Sequence, residues 1–233
     1  MRTQGPKSPD STDRPGGERP RPVSGWATAT TVLICLAVVR ELLVLAANWR
    51  EYQLVHDYLN GSATEADVAA TEADTLTAAA GSSGLLLLVA VPTAVAFLVW
   101  LWRARANAEL IGGRETQRRS RLWVVGSWIA PVINLWYPYQ VVVDIWRARV
   151  PRRQVSLALV NGWWACFVLG GFVKPIQWRV ADSEQSEQDV LTNANLSTLL
   201  TALILLSGVL LILIMRRVTA TQNQALELGR HTR

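Results

Sequence analysis

LWVVGSWIAPVINLWYPYQVVVDIW, residues 122–146, decides the fold of this chain. The stretch is apolar and long enough for one membrane crossing. Pro131 and Pro138 interrupt it, with Asn134 between them. Arg118, Arg119 and Arg121 precede it, and Arg147, Arg149, Arg152 and Arg153 follow it. Arginine and lysine mark the cytoplasmic side of a membrane protein, so a simple crossing should not be basic at both ends. Either the segment crosses against that rule, or it returns to the side from which it entered.

The rest of the chain weighs the two readings. It has 233 residues, half of them hydrophobic. Three uncharged apolar runs, 84–102, 155–173 and 196–215, are long enough to span a bilayer. A fourth, 26–49, is apolar except for Arg40 and Glu41. The 50–83 stretch carries Arg50 against six acidic residues, whereas 103–121 carries six arginines against Glu109 and Glu115. This places the N-terminus inside, 50–83 outside and 103–121 inside. If 122–146 crosses, as in a five-span alternative, two basic clusters fall on the wrong side. If it returns, every cluster is satisfied and both termini are cytoplasmic.

The expected fold is therefore an all-α membrane bundle of four spans, 26–49, 84–102, 155–173 and 196–215, with a proline-broken re-entrant or interfacial hairpin at 122–146. Two full spans do not fit, because they need about 40 residues. Residues 122–133 would descend about 18 Å as helix and 139–146 return about 12 Å, with 134–138 as the turn. Prolines free backbone groups, and these need partners at membrane depth. The hairpin is thus expected to pack against the spans and avoid lipid. In the outer loop, 50–83, a weak alanine pattern suggests a short helix, with Ser62 to Glu65 as a capping box.

The membrane domain covers 26–217. Residues 1–25 are rich in Pro, Gly and charge; they are expected to be a disordered cytoplasmic tail and do not resemble a cleavable signal. Residues 218–233 form a second cytoplasmic tail. The +5 net charge does not call for nucleic acid, because the arginines sit where topology explains them. Arginine- and alanine-rich composition points to a bacterial cell membrane. Cys35 and Cys166 lie within spans and read as packing residues. No metal-ligand spacing, nucleophile–base arrangement or phosphate loop is present, so no metal, cofactor or enzymatic activity is expected.

Polar residues at membrane depth are the candidate sites. Arg40, Glu41 and Asn161 form a candidate intramembrane cluster. Adjacent side chains on a helix diverge, so Arg40 and Glu41 are expected to need separate partners, with Asp144 one candidate for Arg40. A candidate cytoplasmic face comprises Arg103, Asn107, Pro131, Asn134, Trp136, Pro138, Gln140 and Asp144. There Arg103 or Asn107 would reach the hairpin turn or a lipid head group. Gly112 and Gly113 read as a helix stop. Gly162, Gly170 and Gly171 would let helices approach closely.

Several of these residues recur in an ordered set. Trp100, Arg103, Ala104, Asn107 and Ala108 are followed by Trp128, Pro131, Asn134, Leu135, Trp136, Pro138, Tyr139 and Gln140. Then come residues 144–148, DIWRA, and the Trp163–Trp164 pair. This order resembles the bacterial membrane family known as domain of unknown function 4328, common in actinobacteria, over roughly residues 85–224. The resemblance implies a multi-pass membrane protein and no assigned activity, cofactor or site residue.

The leading functional expectation is a non-enzymatic membrane module that binds lipid or another membrane protein, or forms a homo-oligomer. A small transporter or channel subunit using Arg40 and Glu41 is the second reading, and an intramembrane enzyme the third.

Overall fold

The computed structural model describes residues 20–130, 132–148, 155–183 and 186–231. Six α-helices carry the chain: α1 (Ser24–Leu59), α2 (Glu65–Gly112), α3 (Trp123–Ile129), α4 (Tyr137–Ala148), α5 (Ala158–Asp182) and α6 (Glu187–His231). No strand occurs among the described residues. Four of these helices, α1, α2, α5 and α6, contain stretches long and apolar enough to cross a membrane. This is a multi-pass membrane protein with an all-α bundle of four spans, as the charge distribution requires.

The spans are longer than the apolar runs that announce them. The 36 residues of α1 extend about 54 Å, well beyond a bilayer core of about 30 Å. Residues 50–83 are therefore not a loop: α1 runs on to Leu59 and α2 starts at Glu65. The true connection is short and turns at Gly61, whose φ of 75° suits glycine. The cap that starts α2 is Thr64, two residues beyond the expected Ser62. Its hydroxyl accepts from the Asp67 amide, and the Asp67 carboxylate accepts from the Thr64 amide at 2.9 Å. The Thr64 hydrogen bonds hold the Asp67 carboxyl below its ordinary range. The cap is thus complete at neutral pH and weakens only as pH falls through that lowered value.

At its other end α2 stops at Gly112, as expected, with Gly113 at φ 87° donating its amide to the Glu109 carbonyl. A basic loop then leads into α3 and α4, the two arms of the hairpin. Both arms open on the same end of the bundle. Arg118, before α3, donates its backbone amide (3.0 Å) and Nε (2.8 Å) to the two carboxylate oxygens of Asp144, near the end of α4. The segment folds back on itself as a hairpin.

The turn differs from expectation in two ways. Pro138 does not break a helix. It lies in the first turn of α4, where a missing amide proton costs nothing. The tip is also not buried against the spans: Ile129, Val132, Leu135 and Trp136 are exposed. Lipid contact there is tolerable because the backbone is satisfied locally. Asn134 N donates to the Ala130 carbonyl at 2.8 Å, Trp136 N donates to that of Ile133, and the Trp164 indole donates to the Leu135 carbonyl at 3.1 Å. What is buried is the second half of α4, where Val141, Val142, Val143, Asp144, Ile145 and Trp146 are enclosed on every side of the helix.

The four long helices form an open ring. α1 packs along α2 and α6, and α5 packs along α6, but α2 and α5 make no comparable contact. Apolar burial adds little between helices in lipid, so small residues and close fit matter most. The tightest glycine contact between spans is one that the sequence did not single out: a Cβ on Gly208 would meet the Ile34 side chain at 3.0 Å. Gly162 faces Leu210 with 3.3 Å for a Cβ, whereas Gly171 has open space.

Candidate functional site

Two arrangements in this bundle could do more than hold it together: a polar layer at the basic end and a cavity within the ring. The polar layer begins with Asn107, which is fully buried. Its side chain grips the backbone of Arg21 at two points. Asn107 Oδ1 accepts from the Arg21 amide at 2.9 Å, and Nδ2 donates to the Arg21 carbonyl at 2.8 Å. Arg103 donates to the Pro22 carbonyl at 3.0 Å and lies over the Trp26 ring. Neither residue reaches the hairpin turn. The segment they bind is the approach to α1, so the tail expected at 1–25 is anchored from residue 21, and residues 1–19 lie outside the described residues.

α6 completes this layer. Gln222, almost fully buried, donates to the Ala104 carbonyl at 2.8 Å, and Thr219 accepts from the Trp100 indole at 3.2 Å. These contacts place the start of α1, the end of α2 and the end of α6 at one level. Beside them, Glu109 is buried between Arg105 at 3.2 Å and Arg121, with Arg114 at 3.9 Å. Gln140 accepts from Arg119 at 3.0 Å, and the Arg119 guanidinium stacks over Tyr137 at 3.9 Å. Asp144 pairs with Arg118, not with Arg40. The layer is thus a stitched belt of arginines, carboxylates and amides that fixes the hairpin to α2. Its carboxylates are engaged by arginines, which suits support better than proton chemistry.

The other candidate positions scatter. Trp136 is exposed and edges onto Tyr137. Asn134 sits in the turn with its Oδ1 buried and without a hydrogen-bond partner. Pro131 lies outside the described residues.

The cavity is the second arrangement. It occupies about 680 Å³ inside the ring of α1, α2, α5 and α6, within the roughly 300–1,000 Å³ of ordinary ligand sites. Its wall is almost wholly apolar, with Ile34, Ala94, Phe97, Trp163 and Leu211 among the lining residues. It lies where α2 and α5 fail to meet. Toward the basic end, Trp128 of α3 bridges that gap, edge-on to Phe97 of α2 at 5.5 Å and to Phe167 of α5 at 5.7 Å. The hairpin therefore plugs one end of a groove between α2 and α5.

At the far end of the cavity stand Glu41 and Lys174. Glu41 forms an ion pair with its neighbour Arg40, both only about a tenth exposed. The expectation of separate partners fails because the arginine side chain is long enough to curl back. Asn161 is not part of this cluster. It accepts from the Tyr139 hydroxyl at 2.8 Å, about 20 Å along α5 from Lys174 by helical rise. Lys174, which the sequence reading left just beyond a span, takes that place and donates to Gln177 at 3.1 Å. No group of metal-binding side chains occurs among the described residues.

The model of the family described as Domain of unknown function (DUF4328) matches residues 61–220. The chain belongs to that family. The DUF4328 match covers α2, the hairpin, α5 and most of α6, and it leaves α1 outside. Asn107, Glu109, Asp144 and Lys174 are within it, whereas Arg40 and Glu41 are not. No curated protein and no solved structure is significantly similar to the chain.

Proposed function

We propose that this protein is a non-enzymatic module of a bacterial cell membrane that holds a lipid chain in its lateral cavity, with both termini and the hairpin on the cytoplasmic side. The observation that carries this reading is the cavity itself: about 680 Å³, lined by apolar side chains, at the one side of the ring where neighbouring helices do not pack. An apolar wall suits a hydrocarbon chain better than a hydrated path for a polar solute. The buried belt at the basic end supports a scaffold role, because it anchors the plug residue Trp128 through α3 and α4. The orientation rests on the arginine-rich loop 103–121.

Native mass spectrometry of the detergent-purified protein tests the lipid reading. The wild type should retain a phospholipid adduct. Ala94→Phe, which puts a ring into the cavity, should lose most of it while melting within a few degrees of the wild type. Equal lipid retention by the two proteins would count against a chain in the cavity. Orientation is tested separately. A single cysteine at position 152, with Cys35 and Cys166 replaced by alanine, should resist a membrane-impermeant maleimide in intact cells and react after lysis. Reaction in intact cells would reverse the topology.

A further inference from the structure

The two ends of the cavity are chemically unlike. Toward the hairpin it ends on Thr30, Phe97, Trp128 and Trp163; toward the α1–α2 connection it ends on Glu41 and Lys174. Glu41 pairs with Arg40 and also acts electrostatically on Lys174, so the three set two positive charges against one negative. Lys174 is half-buried and its partner is the neutral amide of Gln177, with no ion pair to Lys174 among the described residues. One positive charge is therefore left over at the rim of an apolar cavity. A charge at membrane depth is costly and usually finds a counter-charge or water.

The dimensions say what shape of molecule could bring that counter-charge. From Thr30 to Glu41 along α1, and from Trp163 to Lys174 along α5, the lining spans 11 residues, about 16 Å of helix. That is close to half of a bilayer core of about 30 Å, the depth of one leaflet. The charged end also lies near an interface on the two helices that border the opening. Leu86 lines the cavity two residues inside the apolar stretch of α2 that begins at Gly84, and Lys174 follows directly on the apolar run of α5.

Resting on the lipid reading above, we propose that the cavity takes one acyl chain of an anionic phospholipid from the leaflet opposite the hairpin, with its phosphate-bearing head group held by Lys174. The chain enters between α2 and α5, and its end lies against Trp128. Lys174 is the selectivity element. The apolar wall accepts any chain, and the unbalanced ammonium favours a head group with net negative charge over a zwitterionic one.

The test uses the full-length protein in phosphatidylcholine vesicles that contain either phosphatidylglycerol or phosphatidylcholine with a photoactivatable diazirine at mid-chain. The wild type should be labelled by the phosphatidylglycerol probe at least about threefold more than by the phosphatidylcholine probe, the size of one partly screened charge contact. Lys174→Gln should bring the two probes close to parity without abolishing labelling, and Lys174→Arg should keep the preference. Equal labelling of the wild type by both probes would overturn the head-group assignment and leave the chain in place. Labelling by neither probe would overturn the lipid reading itself. Loss of the phosphatidylglycerol preference on adding inorganic phosphate, at constant ionic strength, would show a site for free phosphate and overturn the lipid as its source. If Lys174→Gln does not fold, the wild-type comparison and Lys174→Arg still decide.

Discussion

Glu109→Ala is expected to cost about 3–5 kcal/mol of stability, the range for stranding a buried charge. The Glu109 side chain is 6% exposed and that of Arg105, one turn before it on α2, is 4% exposed. Arg121 reaches the same carboxylate from the loop before α3. Removing the carboxylate leaves the Arg105 guanidinium enclosed, and Arg121 loses the anchor that ties the hairpin to α2. Arg114, largely exposed, can turn to water and should matter little. The loss would be read as a lower midpoint in a denaturant titration in detergent. The pair itself need not be stabilising, because desolvating two charges offsets much of their attraction. The double variant Arg105→Leu with Glu109→Leu should therefore recover most of the lost stability. A double variant as weak as Glu109→Ala would show that the carboxylate acts through something other than Arg105.

Asn107→Ala is the second large effect, about 1–3 kcal/mol, because two part-buried hydrogen bonds to the Arg21 backbone and the contact with buried Gln222 are lost together. The amide and carbonyl of Arg21 are bonded by one side chain, and the Asn107 amide also lies 3.4 Å from the Gln222 oxygen. The effect should be local as well as global. Amide exchange at Arg21, whose N–H the Asn107 side chain accepts, should accelerate far more than exchange in the middle of α5. Gln222→Leu should couple to Asn107→Ala, so that the double variant loses clearly less than the sum of the two. Strict additivity, with unchanged exchange at Arg21, would mean that the clamp carries no weight in the native state.

Much of the architecture was legible because charge and length act before packing does. Arginines at 118–121 and 147–153 required residues 122–146 to return, and the contact of Arg118 with Asp144 is the structural counterpart of that requirement. The capping box was misplaced by two residues because Thr64 with Asp67 fits the same pattern as Ser62 with Glu65. Pro138 was misread because a proline looks like a breaker until the helix start is known; one residue after Tyr137 it begins α4. The length of α1 and α2 was hidden by hydropathy, which reports only the portion inside the bilayer.

The cavity could not be read from the sequence. It exists because α2 and α5 are far apart in the ring, and ring order is a property of packing. Lys174 escaped notice for a related reason. An apolar run ends at its first charge, so hydropathy leaves the lysine just outside the 155–173 span, while α5 continues to Asp182. Glu109 was counted only as charge within 103–121, although its spacing of four from Arg105 was a signal that the two pair on one helix face. Asn161 was grouped with Arg40 and Glu41 by depth alone, and the Tyr139 hydroxyl placed it elsewhere.

The most direct test of a lipid-holding lateral cavity is to map where a mid-chain photoactivatable phospholipid attaches to the wild-type protein in vesicles, by peptide mass spectrometry. Adducts should concentrate on the lining of the groove, at Ala90, Ala94 and Phe97 of α2 and at Phe167 and Gly170 of α5. Adducts spread evenly over the outward faces, on exposed residues such as Val39, Leu43, Leu169 and Phe172, with none in the groove, would contradict it.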